Sequence, residues 1–568
     1  MNEPNTYYID PNLGRDDHCG SSGDTPWRTF ARLAETKLTP GDRVEILSPG
    51  AFDHSLVLTG EGTAENPVIV HFAPGRYDFF PTRARREVFN ISNCNDDVAK
   101  PKAIGVYFKH VRHVSLSGPG AAIIFRGKMI ELCVDHSEAI TISDLRFDYH
   151  RPTVSEFAAT ATGPDSADIT VHPDSHYRVT EGKILWQGEG WQYETGLAQE
   201  LIPETEQVWR RKDPLRDLRI EELAPFHLRA YGQHDMVAGH IYQLRDTYRD
   251  CCGVFIRRSK DITLDHVDFS FMHGMGILCQ FTETVTLDSV RIAPEEGSGR
   301  TTAAWADCAH FSGCRGKITM RNCLFCGAHD DAVNVHGTHL RIVEQIGDHQ
   351  IKVRFMHRQT YGFMAFNPGD TIEFVRWDTL GSFGTNRVVT AKLLNPRELV
   401  LELEKPVPDW LENDVIENVT WTPEVDISGC TVARIPTRGF LLTTRQPVRI
   451  TNNTFKRIKM FGIHVESDAK GWFESGSVKD LLIEKNQFLD CEQAAIRISP
   501  HKSKPNPSVH RNISIIDNDI QVPENARAIE VAGTSGLTLS GNHIQAPSLD
   551  PNKLFLISDC ENVTITHA

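Results

Sequence analysis

No stretch of the 568 residues approaches the roughly 20 consecutive apolar positions that cross a bilayer, so a membrane-spanning helix is not expected. The first ten residues, Met1 to Asp10, lack the charged-then-apolar order of a secretory leader. The chain is therefore either cytosolic, or exported with its leader removed and Met1 an added start. Cysteine is too irregular to build with: 13 residues, an odd number without regular spacing, exclude a disulfide framework. They are expected as small core residues, with one or two incidental bridges. Long blocks of one charge are also missing. With 60 Lys and Arg against 75 Asp and Glu, the net charge of −15 is spread along the chain, which argues against nucleic acid or an anionic membrane surface as partner. Finally, the apolar residues show no 3.6-residue period, which excludes a helical solenoid.

What the sequence does contain is a repeat. An aliphatic residue is followed after three places by a second buried position and after two more by an aromatic or aliphatic one. The pattern occurs at Ile142/Leu145/Phe147, Leu264/Val267/Phe269, Leu287/Val290/Ile292, Met320/Cys323/Phe325, Ile427/Cys430/Val432, Ile450/Asn453/Phe455, Ile483/Asn486/Phe488, Ile515/Asn518/Ile520 and Leu539/Asn542/Ile544. Uninterrupted starts lie 23, 33, 23, 33, 32 and 24 residues apart. Strand, turn and short strand in each unit fit one coil of a right-handed parallel β-helix, an all-β solenoid. The middle position becomes asparagine in the last four units, and a stacked asparagine ladder that satisfies buried turn groups is expected there.

Two stretches break the repeat, Thr153 to Asp250 and Thr338 to Trp421. Both carry alternating strands punctuated by Gly and Pro, such as Asn367-Pro-Gly-Asp370. They are expected as two small β-barrel or β-sandwich insertions leaning over the solenoid, on the face that binds ligand. The predicted division is 1–152 (first part of the β-helix), 153–250 (insertion), 251–337 (coils), 338–421 (insertion) and 422–568 (last coils).

A further strand column aligns Gly276–Gln280, Asp307–Phe311, Ala332–His336, Phe440–Thr444, Ile463–Ser467 and Ile496–Ser499. In this column Asp307 lies one coil from Asp330 and Asp331, since 307 to 331 is 24 residues. Arg438 follows on the next coil, then His464 and Glu466. Coils stack about 4.8 Å apart, so carboxylates one to two coils apart span roughly 5 to 10 Å, a range that includes the separation used for inverting glycoside hydrolysis. Unpaired carboxylates are too costly to bury, so an outward-facing stripe is expected. Crowding should hold a proton on at least one of the three, as a general acid requires. The bland readings of such a cluster are a solvated turn or a calcium site.

Cys323-x-x-Cys326-x-x-His329 has zinc-like spacing, but Cys323 belongs to the buried repeat, so no metal site is expected. His329, His310, His336 and His464 are either hydroxyl-binding or ordinary surface residues. Trp305 either stacks on a ligand ring or fills the core. Arg438, His464, Glu466 and the stretch Arg151–Glu156, with Arg151 and Glu156 its charged ends, either contact ligand or brace the insertions.

The opening segments Tyr7-Tyr-Ile-Asp-Pro11, Pro26-Trp-Arg28 and Leu38-Thr-Pro-Gly-Asp42 resemble the start of bacterial carbohydrate-active β-helix enzymes. Phe147-Asp-Tyr-His-Arg-Pro152, Trp305-Ala-Asp307 and above all Cys326-Gly-Ala-His-Asp-Asp-Ala-Val-Asn-Val-His-Gly337 resemble glycoside hydrolase family 110, the exo-acting α-1,3-galactosidases, over essentially the whole chain. The resemblance implies release of terminal α-1,3-linked galactose with inversion from blood group B-type and linear α-galactosyl glycans, with no cofactor. It also implies Asp330 as proton donor, with Asp307 and Asp331 holding and deprotonating the water. It further implies a galactose-terminated oligosaccharide or glycoprotein glycan as partner and a secreted or periplasmic location, with the leader absent from this chain. A homodimer is left open. The alternatives are a polygalacturonase-like hydrolase or polysaccharide lyase on the same scaffold, and a non-catalytic glycan-binding solenoid.

Overall fold

The first marker of the repeat forms one continuous column. In the computed structural model, which describes residues 3–547 and 550–566, Ile142 pairs in register with Leu264, Leu264 with Leu287, and so on through Met320, Ile427, Ile450, Ile483 and Ile515 to Leu539. The third marker does the same from Phe147 to Ile544. These parallel ladders belong to one 36-stranded sheet wound into a β-helix. Its interior is a single apolar cluster running from Ile9 to Leu554. Burying each coil's apolar side against the next is what stabilises a solenoid, because no single coil can enclose a core.

The corner before each middle marker has a common cause. All nine preceding residues, from Asp144 (φ 55°) to Gly541 (φ 63°), are in the left-handed region. Seven of them are not glycine, so each of those corners carries a steric cost on the order of 1 kcal/mol that neighbouring interactions must offset. The asparagine ladder does this in the last coils. The Asn486 carboxamide oxygen accepts the backbone N–H of Asn453 (2.9 Å) and its Nδ2 (3.0 Å), while Asn486 Nδ2 donates to the carbonyl of Ile450 (2.8 Å). Asn518 and Asn542 repeat the arrangement. Upstream the ladder ends on Cys430, whose N–H donates to Asn453 Oδ1 (2.8 Å), and Cys430 Sγ in turn accepts the N–H of Cys323 (3.4 Å). The cysteines are thus core residues. All 13 are free, and 10 are buried.

The first insertion is a seven-stranded antiparallel sheet, Val154–Thr162 to Ile241–Arg245, with a three-stranded sheet, His176–Thr180, Lys183–Gly188 and Trp191–Tyr193, beside it. The second is a closed six-stranded barrel from Leu340–Gly347 to Val415–Asn418. Each has its own apolar centre, around Trp186 and Tyr242 in the first and Phe366 and Phe374 in the second. No helix among the described residues is long and apolar enough to cross a membrane.

Replacing Asn486 by leucine strands the Asn453 N–H and the Ile450 carbonyl in the core. At ~1–3 kcal/mol for each unsatisfied buried group, roughly 2–6 kcal/mol of stability should be lost. This would be read as a lower urea midpoint, and an unchanged midpoint would show that the ladder contributes nothing.

Candidate active site

The aspartates are positioned by coil register. Ala309–Ser312 pairs with Val333–Thr338 so that Ala309 faces Val333 and His310 faces Asn334. Extending the ladder backwards, the Cys308 N–H donates to the Asp331 carbonyl (3.0 Å), and the Ala332 N–H to that of Arg438 (3.2 Å). Asp307, Asp331 and Arg438 therefore sit one above another. The register is one residue away from the sequence alignment at three junctions, one of them the pairing of Ala309 with Val333 rather than Asn334. Ile277 pairs with Ala309, and Val333, not Ala332, pairs with Phe440.

One oxygen each of Asp307, Asp330 and Asp331 lies within 4.8 Å of the others. They line a narrow polar pocket together with Asn93, Arg249, Asn334 and Glu474. Two expectations change here. The nearest carboxylate oxygens are closer than the roughly 6.5–9.5 Å that separates the carboxyl groups of an inverting pair, so spacing alone does not select inversion. Nor do they form an exposed stripe: the side chains of Asp307 and Asp331 are 4% and 2% exposed, and that of Asp330 is 16%. They are buried because each is paired, which removes the cost that made burial implausible.

Asp331 accepts bonds from Thr437 Oγ1 (2.5 Å), the Arg438 N–H (3.1 Å) and Arg438 Nη2 (2.6 Å). Asp330 is clasped by Arg210 Nη2 on one oxygen (2.8 Å) and Arg249 Nη2 on the other (2.6 Å). Burial raises the Asp330 pKa, but Arg210, Arg249 and Arg438 together outweigh it and hold this carboxyl below the usual range. Asp307 goes the other way: burial, then the charge of Asp330, push it up to about 8. Burial also raises Asp331 to about 6 against the pull of Arg438. A cation is the other use of three clustered carboxylates, but three guanidinium groups already supply the positive charge here.

Hydrogen-bond directions are consistent with a proton on Asp307 when both neighbouring histidines are neutral. The Gly337 carbonyl can only accept, so His336 Nδ1, at 2.6 Å, carries its hydrogen. Burial lowers the pKa of His336 and pushes that of His310 down to about 4, which favours the neutral form of both rings. His336 Nε2 is then an acceptor, and His310 Nε2, 2.8 Å away, must donate to it. That leaves His310 Nδ1 as an acceptor facing Asp307 Oδ2 at 2.8 Å. In that arrangement the hydrogen of the bond belongs to Asp307, in line with its raised pKa.

Of the other residues singled out by sequence, His310, Arg438 and Glu466 line the pocket, and burial pushes Glu466 up to about 7. His336 stands directly behind His310. The remaining ones do not line it. Trp305 is fully buried under the Arg245 guanidinium, 3.8 Å from the ring centroid, so it cannot stack on a ligand. Glu156 is buried and accepts the N–H groups of Thr301 (2.9 Å) and Thr302 (3.0 Å), tying the first insertion to a coil. Arg151 donates to the Pro173 carbonyl (3.3 Å) within that insertion. His329 is buried; its carbonyl accepts from Arg210 (2.9 Å) and its N–H donates to the Ala304 carbonyl (3.2 Å). His464 pairs with Leu441 on the outward side of the coils, opposite the core residues Ile463 and Val465, and lies 3.8 Å from Glu466.

Several residues of the site, in the pocket wall or bound to its aspartates, carry no mark in the sequence. Arg210 lies on strand Gln207–Arg211 of the first insertion, and Arg249 on its return segment, pinned through its N–H to Asp96 (2.7 Å). Glu474 is held by Asn93 Nδ2 (2.8 Å), and Trp472 lies at the rim. Nothing in their spacing marks them, because they reach the site from segments outside the repeat.

Comparison with known proteins agrees with this architecture. Residues 350–416 match the family described as GLAA-B beta-barrel domain II, and residues 415–567 match the right handed beta helix region. Alpha-1,3-galactosidase A of Akkermansia muciniphila is 40% identical over 543 residues, covering 94% of this chain and 91% of its own. The protein of that name from Bacteroides thetaiotaomicron is 39% identical, covering 88% and 90%. Alpha-1,3-galactosidase B of Parabacteroides distasonis is 30% identical, covering 83% and 79%. With such identity along nearly the full length of both chains, this protein belongs to the α-1,3-galactosidase family that its motifs resemble.

Proposed function

We propose that this protein is an exo-acting glycoside hydrolase that removes terminal α-1,3-linked galactose from oligosaccharide or glycoprotein glycans, including blood group B-type and linear α-galactosyl chains. The observation that carries the reading is three carboxyls within 4.8 Å in one pocket, with the pKa of Asp307 displaced upward and that of Asp330 downward. General acid and general base are thus both present at neutral pH.

The cycle conserves one proton. Hydroxyls of the arriving sugar engage Arg210 and Arg249, the Asp330 charge loses its partners, and the proton of Asp307 moves to Asp330. Asp330, the most exposed of the three, protonates the glycosidic oxygen as the bond to the anomeric carbon breaks. Water held between Asp307 and Asp331 attacks that carbon from the opposite face and gives its proton to Asp307. The starting distribution is then restored, and the galactose leaves with inverted configuration. A second reading has a specific basis: since Asp307 holds the proton at rest, it could itself be the donor, and the short carboxylate spacing then suits retention.

Three measurements test this. NMR of the first-formed sugar from an α-1,3-linked digalactoside should show β-galactose, whereas α-galactose would refute inversion. Asp330→Asn should lower kcat/KM on the disaccharide about 10³-fold but on α-galactosyl fluoride, which needs no acid, less than about tenfold. If the fluoride cancels the defect of Asp307→Asn instead, Asp307 is the donor. The pH profile of kcat/KM should be a bell, falling below about 6 as Asp331 gains a proton and above about 8 as Asp307 loses one. A profile flat from pH 5 to 9 would contradict the assignment of both groups.

A further inference from the structure

The pocket is graded in depth. Asp307, His310, Asp331 and Asn334 at its inner end are almost completely buried, while Trp472 is 43% exposed at its mouth. Trp472 is the only Phe, Tyr or Trp lining the pocket among the described residues. Large aromatic side chains are normally covered, and an indole left open beside a polar pocket forgoes the stabilisation that burial of its ring would bring.

This indole is also held still. Asp468 accepts the backbone N–H groups of Lys470 (2.7 Å), Gly471 (2.9 Å), Trp472 (2.5 Å) and Phe473 (3.2 Å), freezing the turn that carries the ring. The His357 ring, from the barrel insertion, packs against the indole with centroids 4.0 Å apart and planes at 34°. His357 is itself anchored by its carbonyl, which accepts from Arg397 Nη1 (2.7 Å). A ring backed on one side and rigid at its base is a preorganised surface for a flat, apolar ligand face.

Taking the proposed hydrolysis as its basis, we infer that Trp472, backed by His357, is the acceptor subsite: its indole stacks on the sugar to which the departing galactose is linked. The chemical class bound there is a pyranose presenting its C–H face. The inner end holds galactose, where hydrogen-bonding groups outnumber apolar ones. The sugar beyond the scissile oxygen therefore lies toward the mouth, where the indole is the one broad apolar surface. The barrel insertion thus takes part in substrate choice through a single ring contact, while the catalytic carboxylates stay on the coils.

The test compares a substrate with an acceptor ring and one without. In Trp472→Ala, kcat/KM for galactosyl-α-1,3-galactose should fall about tenfold, chiefly through a higher KM. Turnover of α-galactosyl fluoride and inhibition by free galactose should stay within about twofold of the wild type. Trp472→Phe should recover most of the loss on the disaccharide. Equal losses on both substrates, or no loss on either, would overturn the acceptor assignment. A wild-type protein that releases galactose from neither compound would instead overturn the proposed activity, and with it the subsite.

Discussion

Three carboxylates crowded on two successive β-helix coils repel each other and lose their hydration, and the rest of the site is organised around that problem. Arg210 and Arg249 answer Asp330, Arg438 answers Asp331, and His310 accepts the proton that Asp307 keeps. Leaving any of these charges unpaired in a buried setting would cost several kcal/mol. The compensation is unequal, and this inequality separates the three aspartates chemically. Identical side chains, two of them adjacent in sequence, end with opposite displacements of pKa.

The solenoid and its insertions divide the work. Parallel ladders set the spacing, because a coil that begins with Asp307 must place Asp331 directly above it when Ala309 faces Val333. The coils alone offer only shallow surfaces. It is the first insertion that delivers both arginines to Asp330, and Glu156 and Gln243 bind that insertion to the coil loop at Thr301. The barrel contributes Thr360, which donates to the side chain of Asn93 (2.6 Å), and Asn93 in turn holds Glu474. Residues far apart in the chain thus close the pocket, which explains why so much of its wall lies outside the repeat.

The histidines illustrate how a hydrogen-bond chain transmits a fixed direction. The Gly337 carbonyl, His336, His310 and Asp307 are linked by contacts of 2.6, 2.8 and 2.8 Å. Since a carbonyl cannot donate, one neutral tautomer is imposed on each ring in turn. Burial sustains the chain by penalising any imidazolium. The proton on Asp307 is therefore a property of the network as well as of the carboxyl itself.

Sequence by itself determined the coil. Its nine markers stack in register because alternation, turn spacing and the inward asparagines are local features that any one coil must satisfy, and the three aspartates follow from counting coil lengths. Chemistry that depends on neighbours was not legible. Trp305 reads equally well as a ring for sugar or for the core, and only its place beneath Arg245 decides the matter. Glu156 and Arg151 look like binding residues until their partners within the insertion and its adjoining loop are seen. Arg210, Arg249 and Trp472 carry no periodic signal at all. Tertiary structure decided which aspartate is ionised and which is protonated, because a pKa depends on charges and burial in space, and these come from segments that no spacing along the chain connects.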